Sequence, residues 1–187
     1  MDNSAKKQLH RIIVIDDNHD IFEDFKSILI KDADTTNLNE LEASIFDDGD
    51  NDNNESKPDN TYQLSYASQG QEGFAKIKQA HSENRPYSLA FVDMRMPPGW
   101  NGMETIERIW EVDSEIQIVI CSAYSDYSLT DIIDRLGNGS NLLILKKPFD
   151  RTEVAQIASF MTQKWLWAKQ ISAKISQLQQ LAEEKDR

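Results

Sequence analysis

Four short apolar runs in this chain stop at residues suited to handling phosphate or a metal ion. Residues 11–15 stop at Asp16-Asp17, 88–92 at Asp93, 116–121 at Ser122, and 142–145 at Lys146-Lys147-Pro148. A fifth run, 62–67, has no charged stop. Runs of this length and β-branched content read as strands buried on both faces, as in parallel sheets. The stretches between them repeat apolar residues at helical spacing: Ile21, Phe22, Phe25, Ile28 and Leu29; then Phe74 and Ile77; then Met103, Ile106, Ile109 and Trp110. A further helix is expected to begin at Ser125 or Asp126, run to Leu136 and end at Gly137. Strands alternating with helices predict a doubly wound α/β sheet with right-handed crossovers and helices on both faces. In such sheets the carboxyl ends share one edge, and ligands bind there where the strand order switches. Parallel neighbours would therefore bring Asp16, Asp17, Asp93, Ser122 and Lys147 to one spot.

The bulk properties narrow the function. The chain has 187 residues and a net charge of −12, which argues against nucleic-acid binding by this segment. Residues 32–60 hold ten acids against Lys57 alone, and 47–54 are almost wholly Asp, Asn and Gly. That stretch reads as a solvated insertion, preceded by a short helix carrying Leu38, Leu41 and Ile45. No apolar run reaches membrane-spanning length, and the first ten residues are polar, a tail expected to be disordered. With Cys121 as the only cysteine, set in a strand as a buried thiol, the chain is expected to be cytoplasmic. His10, His19 and His81 lack metal-ligand spacing and are expected to be exposed, without a chemical role.

The last helix is expected to open at Asp150 or Thr152 and meets no breaker through Arg187. Val154, Ile157, Ala158 and Met161 would pack on the sheet. Beyond them Ala168, Ile171, Ile175, Leu178 and Ala182 repeat at 3-4-3-4 spacing, a coiled-coil seam that predicts a homodimer. Residues 164–187 form this coiled-coil-like helix, expected to lead to an output module beyond it. Trp165 and Trp167 stand where it leaves the domain, either covering the domain edge or contacting a partner.

Phosphoryl transfer needs a nucleophilic oxygen, a divalent cation, and cationic or hydrogen-bonding groups around the transferred oxygens. Magnesium takes carboxylates, carbonyls and water. Asp16, Asp17 and Asp93 supply acids, Ser122 a hydroxyl and Lys147 an ammonium that would pair with Asp93 before modification. Taken alone, Asp16-Asp17 reads equally as a cap for the helix near Asn18; Asp93 and Lys147 favour the metal.

At these residues the chain resembles the receiver domain of two-component response regulators. The matching pieces are Ile15-Asp16-Asp17, Phe91-Val92-Asp93-Met94-Arg95-Met96-Pro97, Gly102, Ser122-Ala123 and Lys147-Pro148-Phe149. The resemblance spans residues 11–163, interrupted by the acidic insertion. It implies a flavodoxin-like five-stranded parallel sheet of order 2-1-3-4-5. It further implies that Asp93 is the phosphoacceptor, served by a histidine kinase or phosphotransfer domain. Asp17 resembles the direct Mg²⁺ ligand, Asp16 the one acting largely through water, and the backbone carbonyl of Arg95 a further ligand. Ser122 resembles the switch hydroxyl, Lys147 the conserved lysine, and Pro148 the residue joined through a cis bond. Such a domain is a switch rather than an enzyme, limited to Mg²⁺-dependent self-phosphorylation and slow autodephosphorylation. In the family Arg95 and Tyr124 also tune dephosphorylation.

The chain departs from the family pattern in three places. The turn Pro97-Pro98-Gly99-Trp100-Asn101-Gly102 is one residue longer than usual, and the acidic insertion lengthens the first helix-to-strand connection. The position three before Lys147, often an aromatic switch, is Ile144, with Trp100, Tyr124 or Tyr127 as substitutes. The competing functions are a pseudo-receiver that only binds a protein partner, and a phosphatase with an aspartyl-phosphate intermediate. Dehalogenase-like phosphatases carry a second acid two residues after the nucleophile, where this chain has Arg95.

Overall fold

The computed structural model describes residues 9–30, 61–123, 129–137 and 139–185. The short helix expected near Leu41, the acidic stretch, the helix start at Ser125 or Asp126, and Tyr124 and Tyr127 lie outside them. Five strands, β1 (Leu9–Ile15), β2 (Thr61–Ala67), β3 (Leu89–Asp93), β4 (Gln117–Ser122) and β5 (Leu142–Lys146), form one parallel sheet in the order β2-β1-β3-β4-β5. The helices are α1 (His19–Leu29), α2 (Gly70–Ser82), α3 (Gly102–Val112), α4 (Leu129–Leu136) and α5 (Arg151–Lys185). This is the doubly wound architecture that the apolar runs predict.

The sheet is sorted by the two-residue period of a strand. Ile13, Ile15, Ala90, Val92, Ile118 and Ile120 face α2, α3 and α4, meeting Ile77, Ile106, Ile109 and Ile132. Ile12, Val14, Leu89, Phe91, Val119 and Leu145 face α1 and α5, meeting Phe25, Leu29, Val154, Ala158 and Met161. The β3 and β4 strands, flanked on both sides, are buried at every residue, which explains their unbroken apolar character. The Cys121 thiol is buried as expected, and burial pushes its pKa up, away from the reactive thiolate.

Two expectations need correction. The first strand starts at Leu9, so Leu9 and His10 belong to the sheet and not to the tail. His10 is buried, with 2% of its surface exposed, because it continues the Ile12-Val14 face and lies beside Tyr62; burial lowers its pKa. His19 and His81 are exposed as expected.

The helix ends follow the side chains. Asn18 caps α1, accepting from Asp20 N, and Asn101 caps α3, accepting from Glu104 N at 2.9 Å. Gly137 sits at φ +79° after α4, a left-handed stop that suits glycine. Asp150 accepts from Thr152 N at the start of α5, which runs 35 residues. Lys169 pairs with Glu115 and lies over the Trp165 ring, so Trp165 covers the domain edge, whereas Trp167 is 54% exposed. Past Lys169, Ile171, Ile175, Leu178 and Leu181 are each more than half exposed. Among the described residues, no helix is long and apolar enough to cross a membrane.

Candidate functional site

The strand order places the reversal between β1 and β3, and the register sets Ile15 beside Val92. The next residues, Asp16 and Asp93, therefore leave adjacent strands side by side. Both continue the α1/α5 face, two residues beyond Val14 and Phe91; Lys147, two beyond Leu145, continues the same face from β5. One ammonium meets both acids there. Lys147 Nζ donates to Asp16 Oδ2 at 2.7 Å and to Asp93 Oδ1 at 2.8 Å. Asp93 Oδ2 also accepts from Arg95 N at 3.1 Å. Asp17 is exposed at the rim, and ligand atoms of Asp16, Asp17 and Asp93 lie within 4.8 Å of one another.

The capping alternative for the acidic pair goes to Asn18. Asp16 instead accepts from Asn18 N at 2.9 Å, and the Asp17 carboxylate remains at the rim. Three carboxylates against one lysine leave the site with surplus negative charge. Burial raises the pKa of Asp93, and the nearby Asp16 adds to this; the bonds from Lys147 do not offset the two. Burial alone would lower the Lys147 pKa, but its bonds to Asp16 and Asp93 outweigh that and the net direction is upward. An oxygen-only donor set of this charge suits a small divalent cation such as Mg²⁺.

Ser122 ends β4 and is buried; its hydroxyl donates to Ala123 O at 3.0 Å, while its own carbonyl accepts from Lys147 N at 2.9 Å. Counting by twos, Ser122 continues the opposite face to Asp93 and Lys147. It stands at the same sheet edge without sharing their ion pairs. The Lys147–Pro148 bond is cis, as the resemblance implies. Lys146 is exposed, which assigns the inward role to Lys147. The longer turn after Asp93 is docked on α2: Trp100 stacks edge-on against Phe74 at 5.9 Å, Arg108 lies over the Trp100 ring, and Gln71 accepts from Trp100 N. Trp100 is thus a lid on the turn.

Tyr66 carries no signal in the sequence, since nothing charged ends its run. Its hydroxyl donates to the carbonyl of Asp16 at 2.9 Å. The pairing of Val14 with Tyr66 could have revealed it, but register is a tertiary property.

A family model described as the response regulator receiver domain matches residues 55–159, more than half of the chain. Among curated proteins there is no match. Several solved structures share the fold. A CheY-like receiver domain protein from Methanospirillum hungatei superposes with a TM-score of 0.59 at 20% identity, covering 86% of this chain and 99% of that one. An adenylate cyclase from Rhodopirellula baltica gives 0.61 at 18% identity, covering 92% of this chain and 98% of that one. NtrX from Brucella abortus gives 0.59 at 16% identity, covering 88% of this chain and 30% of that one. At these identities the likeness is one of fold.

Proposed function

The chain belongs to the response regulator receiver domain family, and from that membership we propose that it is a phosphorylation-controlled switch whose acceptor is Asp93. The phosphoryl group comes from a phosphohistidine of a histidine kinase or phosphotransfer domain. The observation that carries this reading is Lys147 bridging Asp16 and Asp93 at 2.7 and 2.8 Å beside a third acid.

A carboxylate oxygen of Asp93 forms the new bond to phosphorus as the phosphorus–nitrogen bond breaks, and the electron pair of that bond returns to the imidazole. Asp16, Asp17, Asp93 and the Arg95 carbonyl would hold Mg²⁺, which would supply positive charge against the transferred oxygens. Lys147 gives up its bond to the Asp93 carboxylate and pairs with a phosphoryl oxygen. Ser122 turns its hydroxyl from Ala123 to another. The modification adds about −1.5 to −2 charge at the sheet edge. That charge draws in the β4 end and so biases the neighbouring α4. The α5 seam then conveys the change within a homodimer to an output module. The domain binds and switches; it turns over no substrate beyond its own slow dephosphorylation.

Incubation with acetyl phosphate and Mg²⁺ tests the proposal. The expected product is one base-labile phosphoryl adduct on the wild type and none on Asp93→Ala. No adduct on the wild type, or an equal one on the variant, rejects it. Steady hydrolysis of phosphomonoesters would point to a phosphatase instead.

A further inference from the structure

The peptide joining Asp16 to Asp17 is held from the neighbouring edge strand. Ala67 O accepts from Asp16 N at 3.1 Å, and the Tyr66 hydroxyl donates to Asp16 O at 2.9 Å. Two successive residues of β2 therefore grip both backbone polar groups of the residue that follows β1. The Tyr66 ring is itself fixed. His19 meets it edge-on at 4.9 Å and Phe22 packs on it at 5.1 Å, both from the first turn of α1. The Tyr66 carbonyl accepts from Lys76, which also pairs with Glu72 at 2.7 Å. The β2 end is thus tied to α2 as well as to α1.

This grip bears on the site because of where the two acids stand. Asp16 is buried and directed by its bonds to Lys147 and Asn18. Asp17 is exposed beyond the end of the ladder. The peptide plane that precedes it sets where its side chain starts, and rotating that plane breaks the Tyr66 bond.

We propose that Tyr66 is a positioning residue for the cation site: its hydroxyl clamps the Asp16–Asp17 peptide, so that both carboxylates are set before the ion arrives. Binding then needs no reordering of the loop, which is the source of affinity in a preorganised site. A stacking role alone would need only the ring; the bond to Asp16 needs the oxygen.

The inference rests on the phosphoacceptor reading, and Tyr66→Phe separates the two because it keeps the ring and deletes the hydroxyl. Mg²⁺ is titrated calorimetrically into the wild-type and variant chains, with unfolding midpoints taken in EDTA and acetyl phosphate labelling followed against Mg²⁺ concentration. Loss of one neutral hydrogen bond should weaken Mg²⁺ binding about three- to tenfold. The labelling rate should return to the wild-type value at saturating Mg²⁺, and the EDTA midpoint should fall by no more than the loss of one such bond accounts for. Equal Mg²⁺ affinity in the two chains overturns the inference and leaves the phosphoacceptor reading standing. A labelling deficit that persists at saturating Mg²⁺ also overturns it, since that marks a general defect. A wild type that binds no Mg²⁺ overturns both.

Discussion

Asp93 shows how burial and charge share one carboxyl. It is 8% exposed, it shares its lysine with Asp16, and its pKa lies above the ordinary 3.8. A raised carboxyl pKa means that the folded state prefers the protonated form. The contribution to stability is therefore full below about pH 3.8 and is lost as pH rises through the raised value, so the cost is in place at neutral pH. In metal-free buffer at pH 7, Asp93→Asn should raise the urea unfolding midpoint, since it removes the cost of keeping this buried carboxyl charged beside Asp16. An unchanged or lower midpoint would contradict this. Gly102 is constrained differently. A Cβ there would stand 2.5 Å from the Asp93 carbonyl oxygen and 2.9 Å from Met94 Cα, and backbone cannot yield as a side chain can. Gly102→Ala should cost roughly 1–3 kcal/mol by overpacking and slow acetyl phosphate labelling, because it pushes α3 against the backbone of Asp93.

At the scale of elements, α5 changes role along its length. Val154, Ala158 and Met161 are buried on the sheet, and further along Lys169 pairs with Glu115. The apolar stripe continues past that pair through Ile171, Ile175 and Leu178, each at least half exposed. A helix that keeps its apolar stripe after leaving its own core has the pattern of a coiled-coil partner. The double variant Ile171→Asp and Leu178→Asp should sediment as a monomer where the wild type sediments as a dimer. Its labelling at Asp93 should be unchanged, since both positions lie beyond the domain. A wild type that is already monomeric refutes the seam. The turn at Trp100 works the other way: its stacking on Phe74 and under Arg108 ties the chain leaving Asp93 to α2 and α3.

For the whole molecule, the site joins the ends of β1, β3 and β5, so an ion bound there would be coupled to global stability. An ion that binds only the folded chain stabilises it in proportion to the logarithm of its concentration. At ten times its dissociation constant Mg²⁺ should add about 1.4 kcal/mol, a rise in melting temperature of roughly 3–6 °C for a domain of this size. Asp17→Asn should abolish most of the rise while leaving the EDTA midpoint nearly unchanged, because Asp17 is exposed. A rise that survives the substitution would place the ion elsewhere.

The local pattern of the chain settled the strands, because burial on both faces demands unbroken β-branched runs and those are visible residue by residue. It also supplied the acids, the hydroxyl and the lysine at the strand ends, and Gly137 as a helix stop. The position of His10 was not legible: a histidine two residues before Ile12 is buried only because the ladder extends to Leu9 and sets it beside Tyr62. Nor could spacing say that Lys147 would meet Asp16, 131 residues away, as closely as Asp93. The family match itself begins at residue 55, after the first strand. The sheet inserts that strand between β2 and β3 and brings Asp16 and Asp17 back to Asp93. Identity of the reacting groups is a local property of the chain; which of them touch depends on strand order and register, which arise only when the core closes.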